Sequence, residues 1–348
     1  MDTPISVAVI GTGFGKIVHI PGYLAHPAFS LKAVGSVRKG GGQRIADDLP
    51  SVRGYDDWQQ LLAEESVDLI SIATAPHLHA PVTLAALARG SHVLCEKPMA
   101  LDASEAGAMT ERARSLGRVA VISHEFRYLP ARRAFHSYIK DGFIGDPIAV
   151  SLTVSQGARS RLEQRPIDWL ARAETGGGFL GALGSHLIDY LLWCFGDIAE
   201  VQGRLDRHLA LRPGAHGPER PTADDGFAVL FTFATGATGT LQLIQSVRHG
   251  FGSRLEAYGT KGTLALINDT ALTGAQGDEP LQDLPVPARE AGDQDPRLPP
   301  FMKLLDDVVS EIAGIPTDVA TFEQGLRVQR LLDAIRTSSQ DGHRVRIL

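Results

Sequence analysis

The chain has 348 residues, 43% of them apolar and 21% charged, the balance of a soluble globular protein with room for two domains. A net charge of −6, with no basic stripe and no interleaving of basic with aromatic residues, argues against a nucleic-acid partner. Two cysteines, Cys95 and Cys194, both in apolar runs, read as buried thiols of a reducing compartment and exclude a disulfide framework. No basic leader precedes the first strand pattern. The most apolar stretch, 187–195, is short and broken by Asp189, so a cytoplasmic protein without membrane contact is expected.

From residue 5 the chain alternates short β-rich runs with helical patterns. Strands are predicted over 5–10, 31–37, 69–73, 92–95 and 119–123, with helices over 17–24, 58–65, 80–89 and 104–116 between them. That alternation is the signature of a doubly wound parallel sheet, a Rossmann-type domain over residues 1–123. Asp102 starts one helix as a cap, and Gly90 and Gly117 fall where helices stop. After residue 123 the pattern changes. A helix is predicted over 127–139, a turn followed by a buried helix over 178–195, and strands over 148–155, 200–209, 226–232, 237–247 and 254–267. Such a run of strands implies an α+β second domain, 124–348, with a large open, mainly antiparallel sheet. Residues 274–300, rich in Gly, Pro, Asp and Gln, read as a surface excursion. Helices at 301–312 and 322–336 and a short strand at 344–348 close the chain.

Gly11, Gly13, Phe14 and Gly15 follow the first strand and precede a helix, the context a dinucleotide-binding turn requires. The first glycine permits the tight turn and the second admits a pyrophosphate to the helix N-terminus. Lys16 stands where the usual spacing places a third glycine. It either adds charge near the phosphates or points into solvent. The second strand ends in Ser36-Val37-Arg38-Lys39 with no acidic residue to take ribose hydroxyls. Ser36, Arg38 and Lys39 suit a 2′-phosphate, so NADP is favoured over NAD as the cofactor.

Glu96-Lys97-Pro98 sits at the carboxyl end of strand 92–95, where ligands bind in open α/β sheets. Proline keeps Lys97 extended, and a lysine fixed there can stabilise negative charge developing on a substrate oxygen. His186 can cycle its proton near neutral pH, and Asp189 lies three residues on, on the same helical face. Asp189 either orients His186, binds substrate or makes a local contact. Arg127 follows the fifth strand and either reaches a ligand or anchors its helix. Arg159, Arg161, Arg165, Asp168 and Trp169 form a loop able to take a polyhydroxy substrate, or else a solvated charge cluster. His77 and His79 lack a third ligand at suitable spacing, so no metal is expected.

Together these residues resemble the Gfo/Idh/MocA family of sugar and cyclitol oxidoreductases. The likeness runs through the Gly-x-Gly turn, Ala73-Thr74-Ala75-Pro76-His77-Leu78-His79-Ala80, the stretch from Gly90 to Pro98, Gly176-Gly177-Gly178, and Gly184-Ser185-His186-Leu187-Ile188-Asp189. The resemblance implies that Lys97 and His186 stand beside a nicotinamide, with Lys97 polarising an oxygen and His186 handling the proton. It also implies that Thr74, Pro76, His79 and Glu96 line the cofactor cleft, and that the second domain's sheet carries a homodimer or homotetramer. Hydride exchange with a secondary alcohol or ketone of a sugar-like substrate is the expected activity. An NAD-dependent glycosidase using transient redox chemistry, and a non-catalytic dinucleotide sensor, are the alternatives. One departure stands out: many members carry an aspartate four residues before the histidine, where this chain has Ala182.

Overall fold

The structure is a computed structural model that describes residues 3–157, 159–288 and 295–347. The chain divides into two compact units, Met1–Glu125 with Glu290–Gln329, and Phe126–Arg289 with Arg330–Leu348. The division departs from a single boundary near residue 123, because the described residues 295–329 pack with the first unit.

The first unit is built on six parallel strands: β1 (Ile5–Ile10), β2 (Phe29–Gly35), β3 (Arg53–Tyr55), β4 (Leu69–Ile72), β5 (His92–Cys95) and β6 (Ala120–Ile122). They lie in the order β3-β2-β1-β4-β5-β6, the doubly wound arrangement whose reversal falls between β1 and β4. Strands β4 and β6 are buried throughout, as near-continuous apolar runs in a two-sided sheet should be. Helices α1 (Ile20–Ala25), α2 (Gly41–Ala46), α3 (Trp58–Glu64), α4 (His79–Ala88) and α5 (Ala103–Ser115) make the crossovers. Helix α5 starts where the sequence indicates: the Asp102 carboxylate accepts the Glu105 N–H at 2.9 Å, and Glu105 accepts the Leu101 N–H at 3.0 Å.

The second unit holds α6 (Pro130–Lys140), β7 (Pro147–Ser155), α7 (Arg159–Gln164), α8 (Ser185–Phe195), β8 (Ile198–Asp206), and a small hairpin of β9 (Arg212–Gly214) and β10 (Gly217–Glu219). Then come β11 (Gly226–Phe233), β12 (Thr238–Ile244), β13 (Gly252–Gly259), β14 (Gly262–Ile267), β15 (Ala271–Gln276) and β16 (Gln282–Leu284). After α9 (Leu298–Ile312), which belongs to the first unit, α10 (Phe322–Asp341) and β17 (Val345–Arg346) complete the chain. Nine strands form one sheet in the order β16-β15-β14-β13-β7-β12-β11-β8-β17. Its pairs are antiparallel except β7 with β12. Alternate residues such as Val150, Leu152 and Val154 of β7 are buried, while Thr238, Thr240 and Gln242 of β12 face outward.

Three expectations are corrected. The long strand predicted over 254–267 is a hairpin of β13 and β14, and the predicted excursion 274–300 contains β16, part of β15 and the start of α9. Residues Ala173–Phe195 are apolar and long enough to cross a membrane by length and composition alone, contrary to the expectation from 187–195, yet 67% of an apolar 18-residue stretch within them is buried in the fold. The stretch is also interrupted by Gly176 and Gly178, both at positive φ.

Candidate active site

In the first unit the turn after β1 meets the end of β4. Gly11 has a φ of +119°, and a Cβ there would lie 2.3 Å from the Ala73 carbonyl, so only glycine permits this approach. A Cβ on Gly13 would meet nothing within 4 Å, which leaves open space above the turn. Gly15 begins a π-helical turn, Gly15–His19, that runs into α1, and Lys16 is exposed on it. Phe14 is covered by the Arg297 guanidinium, 4.9 Å from its ring centroid. The buried Thr74 hydroxyl has no hydrogen-bond partner among the described residues. An open glycine turn at a helix start and an unmet hydroxyl beside it fit a dinucleotide held by its phosphates.

Beyond β2, Arg38 and Lys39 are exposed and make no ion pair among the described residues. Ser36 departs from its expected role: its hydroxyl is fully buried, accepts the Arg38 N–H at 3.0 Å and lies 3.2 Å from the Thr12 hydroxyl. The Asp56 carboxylate accepts the N–H groups of Gly40 and Gly42. His79 is likewise turned to a structural task. Its Nδ1 lies 2.9 Å from the Pro98 carbonyl and its Nε2 3.1 Å from the Thr74 carbonyl, which pins the two loops together. Burial lowers its pKa, and the neutral ring this favours donates to one of the two carbonyls at a time. Pro76 is buried at the start of the short turn Pro76–Leu78, and His77 is exposed.

Lys97 leaves β5 with its side chain 19% exposed, 4.0 Å from Glu96 Oε2. Glu96 is buried, and its Oε1 lies 3.0 Å from His19 Nε2, whose Nδ1 is 2.7 Å from the Ser71 hydroxyl. Its carboxylate is therefore held inside the protein by His19, where the sequence suggested contact with a cofactor. Burial opposes the charge on Glu96, yet the His19 hydrogen bond and the Lys97 charge bring its pKa down to about 2. Glu125, also buried, is pushed up to about 8, first by burial and then by the Glu96 charge, against Lys97 and Arg297. Lys97 thus feels one carboxylate and one carboxylic acid at neutral pH.

In the second unit His186 is the second residue of α8, almost wholly buried, with its ring stacked on Phe126 at 4.0 Å and 8°. A π-helical turn, Leu180–Gly184, leads into α8, and the Asp224 carboxylate accepts the Leu180 N–H at 2.8 Å. Burial raises the Asp224 pKa to about 6. Ala182 lies within that turn. Arg127 and Asp189, both considered for substrate, are spent on each other: Arg127 Nε and Nη2 donate to the two carboxylate oxygens at 2.6 and 2.5 Å, and both residues are buried. Trp193 lies 5.2 Å from that guanidinium and stacks on His136 at 3.6 Å. Trp169 is half-buried in the turn Trp169–Ala171, and Asp168 beside it is bound by Arg165 at 2.5 Å. The Arg159 side chain lies outside the described residues. Among the described residues no cluster of His, Cys, Asp and Glu is arranged to hold a metal.

Glu125, which follows the fifth strand and is a sequence candidate for the cleft, is part of this cluster, whereas His19 and Phe126 are not marked as site residues by the sequence. The sequence mark that could have found His19 is its place four residues after Gly15, in the helix that opens from the glycine turn.

The profile described as an oxidoreductase family with an NAD-binding Rossmann fold matches residues 5–124, and that of the GFO/IDH/MocA C-terminal domain matches residues 133–265. An uncharacterised oxidoreductase of Synechocystis is 31% identical over 99% of this chain and 96% of its own length. Levoglucosan dehydrogenase of Pseudarthrobacter phenanthrenivorans is 28% identical over 75% of this chain and 73% of its own length. Among solved structures, an oxidoreductase domain protein from Kribbella flavida superposes with a TM-score of 0.89 at 28% identity, covering 99% of this chain and 100% of that one. With the parallel sheet, the glycine turn and the large mixed sheet, these likenesses establish that the chain belongs to the Gfo/Idh/MocA family of NAD-binding oxidoreductases.

Proposed function

We propose that the protein moves a hydride between NAD(P) and a CH–OH carbon of a sugar- or cyclitol-like substrate, with Lys97 and His186 as the catalytic residues. The observation that carries this reading is Lys97 at the carboxyl end of β5, partly exposed and backed by an ionised, buried Glu96. When bound, the nicotinamide supplies or accepts the hydride. The Lys97 ammonium holds the substrate oxygen by a charge-assisted hydrogen bond and steadies the negative charge that grows on it. A ring nitrogen of His186 takes the hydroxyl proton during oxidation and returns it during reduction, while Phe126 fixes the plane of the ring. Levoglucosan dehydrogenase, an anhydro-sugar enzyme by name, supports the substrate class. The exposed Arg38 and Lys39 support NADP over NAD, through their charge alone now that Ser36 is turned inward.

The test is nicotinamide absorbance with NADP and with NAD across pyranoses, deoxy-sugars, cyclitols and their keto forms. Lys97→Ala and His186→Ala are each expected to lose about 100-fold or more in kcat/KM. Full activity in either variant would remove that residue from the reaction.

A further inference from the structure

The side chain behind Lys97 is held by a network that the reaction itself does not require. His19 sits at the end of the π-helical turn that leaves the glycine loop, fully buried. Phe301 of α9 lies against its ring at 4.5 Å, and Phe14 meets it edge-on at 5.6 Å, so the imidazole has no room to rotate. Ser71 of β4 fixes Nδ1 at 2.7 Å, and Nε2 reaches Glu96 Oε1 at 3.0 Å. A carboxylate only accepts hydrogen bonds, so Nε2 carries the proton in that contact. The other oxygen, Oε2, lies 3.3 Å from the Lys97 backbone N–H and 4.0 Å from Nζ. At that separation the charges attract without a direct hydrogen bond between Oε2 and the ammonium.

We propose that His19 is a positioning residue for Lys97: by holding Oε1 it keeps Glu96 from closing on the ammonium that the substrate oxygen needs. A buried carboxylate deprived of His19 would turn to the donors that remain, the Ser123 hydroxyl and Lys97, and of these only the Lys97 ammonium offers a countercharge. The reaction would then have to break a buried ion pair before Lys97 met the substrate. The charged and titratable groups that act on this cluster are Lys97, Glu125, Arg297, His79 and Cys95. None of them takes the place of His19 as a hydrogen-bond donor to Oε1 among the contacts described. The role rests on the reading of Lys97 as the group that polarises the substrate oxygen.

The experiment uses the full-length protein without cofactor. Acetylation of Lys97 by N-hydroxysulfosuccinimidyl acetate is followed by peptide mass spectrometry in wild type, His19→Ala and His19→Gln. In parallel, dinucleotide affinity is read from tryptophan fluorescence, and kcat/KM is measured with Lys97→Ala as reference. His19→Ala is expected to acetylate more slowly at Lys97, to keep its dinucleotide affinity and to lose about 100-fold in kcat/KM, the scale of a misplaced catalytic group. His19→Gln, whose amide N–H can reach Glu96, should recover most of both losses. If His19→Ala does not fold, Ser71→Ala, which frees the other side of the imidazole, should slow the same acetylation. An unchanged acetylation rate in the folded variants overturns the role of His19 alone. Activity that survives Lys97→Ala overturns the reading of Lys97 on which the kinetic consequence depends.

Discussion

Arg127 and Asp189 lie 62 residues apart in sequence, yet they form a two-pronged ion pair in a nearly dry part of the second unit. The geometry is one that only a guanidinium and a carboxylate share. Its local effect is to tie the turn carrying Phe126 to the helix carrying His186, three residues before Asp189, and so to maintain the ring stack. Breaking one side of such a pair leaves a buried charge without its counterion, which costs about 3–5 kcal/mol. Asp189→Asn is therefore expected to lower the melting temperature sharply, with kcat falling as His186 loses its plane. A substrate ligand would behave differently: a raised KM at an unchanged melting temperature would contradict this assignment.

The elements nearest the chemistry were the easiest to read from sequence. Strand β5, His92–Cys95, coincides with its predicted bounds, because four apolar-leaning residues stand between Gly90 and the Glu96-Lys97-Pro98 stop. Helices α4 and α5 agree within a residue at each end, since glycines end them and Asp102 starts α5. The hairpin of β13 and β14 was missed because apolar alternation stands on both sides of Gly259-Thr260-Lys261-Gly262 and reads as one run, although the two glycines bracketing a polar pair are a turn signal. Strand β3 was missed because three residues carry too little periodicity to register. The site divided in the same way. Lys97 is marked by its neighbours in sequence. The partners of His19, Arg127 and His79 come from other elements and are set by packing, which one-dimensional spacing does not encode. The same reason hid the inward turn of Ser36, whose hydroxyl satisfies its own loop.

For the molecule as a whole, the two buried glutamates near Lys97 pull stability in opposite directions with pH. Glu96, held at about 2, ionises more readily in the fold, so it contributes stability above its ordinary 4.5 that is lost as pH falls toward 2. Glu125 keeps its proton in the fold up to about 8 while the unfolded chain ionises near 4.5, so its contribution declines as pH rises across that interval. Glu125→Gln removes the declining part without adding charge. Its melting temperature is expected to approach that of the native protein near about pH 5 and to exceed it by a growing margin toward about pH 8. A margin that stays constant with pH would show that Glu125 ionises as an ordinary carboxyl.

Hydride exchange remains the claim on which the site, the lysine and its supporting histidine all depend. It is tested most directly by incubating the protein with NADP or NAD and substrates deuterated at the carbinol carbon, then locating the label by mass spectrometry and NMR. Deuterium appearing on the nicotinamide ring with the native protein, and not with Lys97→Ala, is the predicted result. Saturable dinucleotide binding with no label transferred from any pyranose, deoxy-sugar or cyclitol would contradict it.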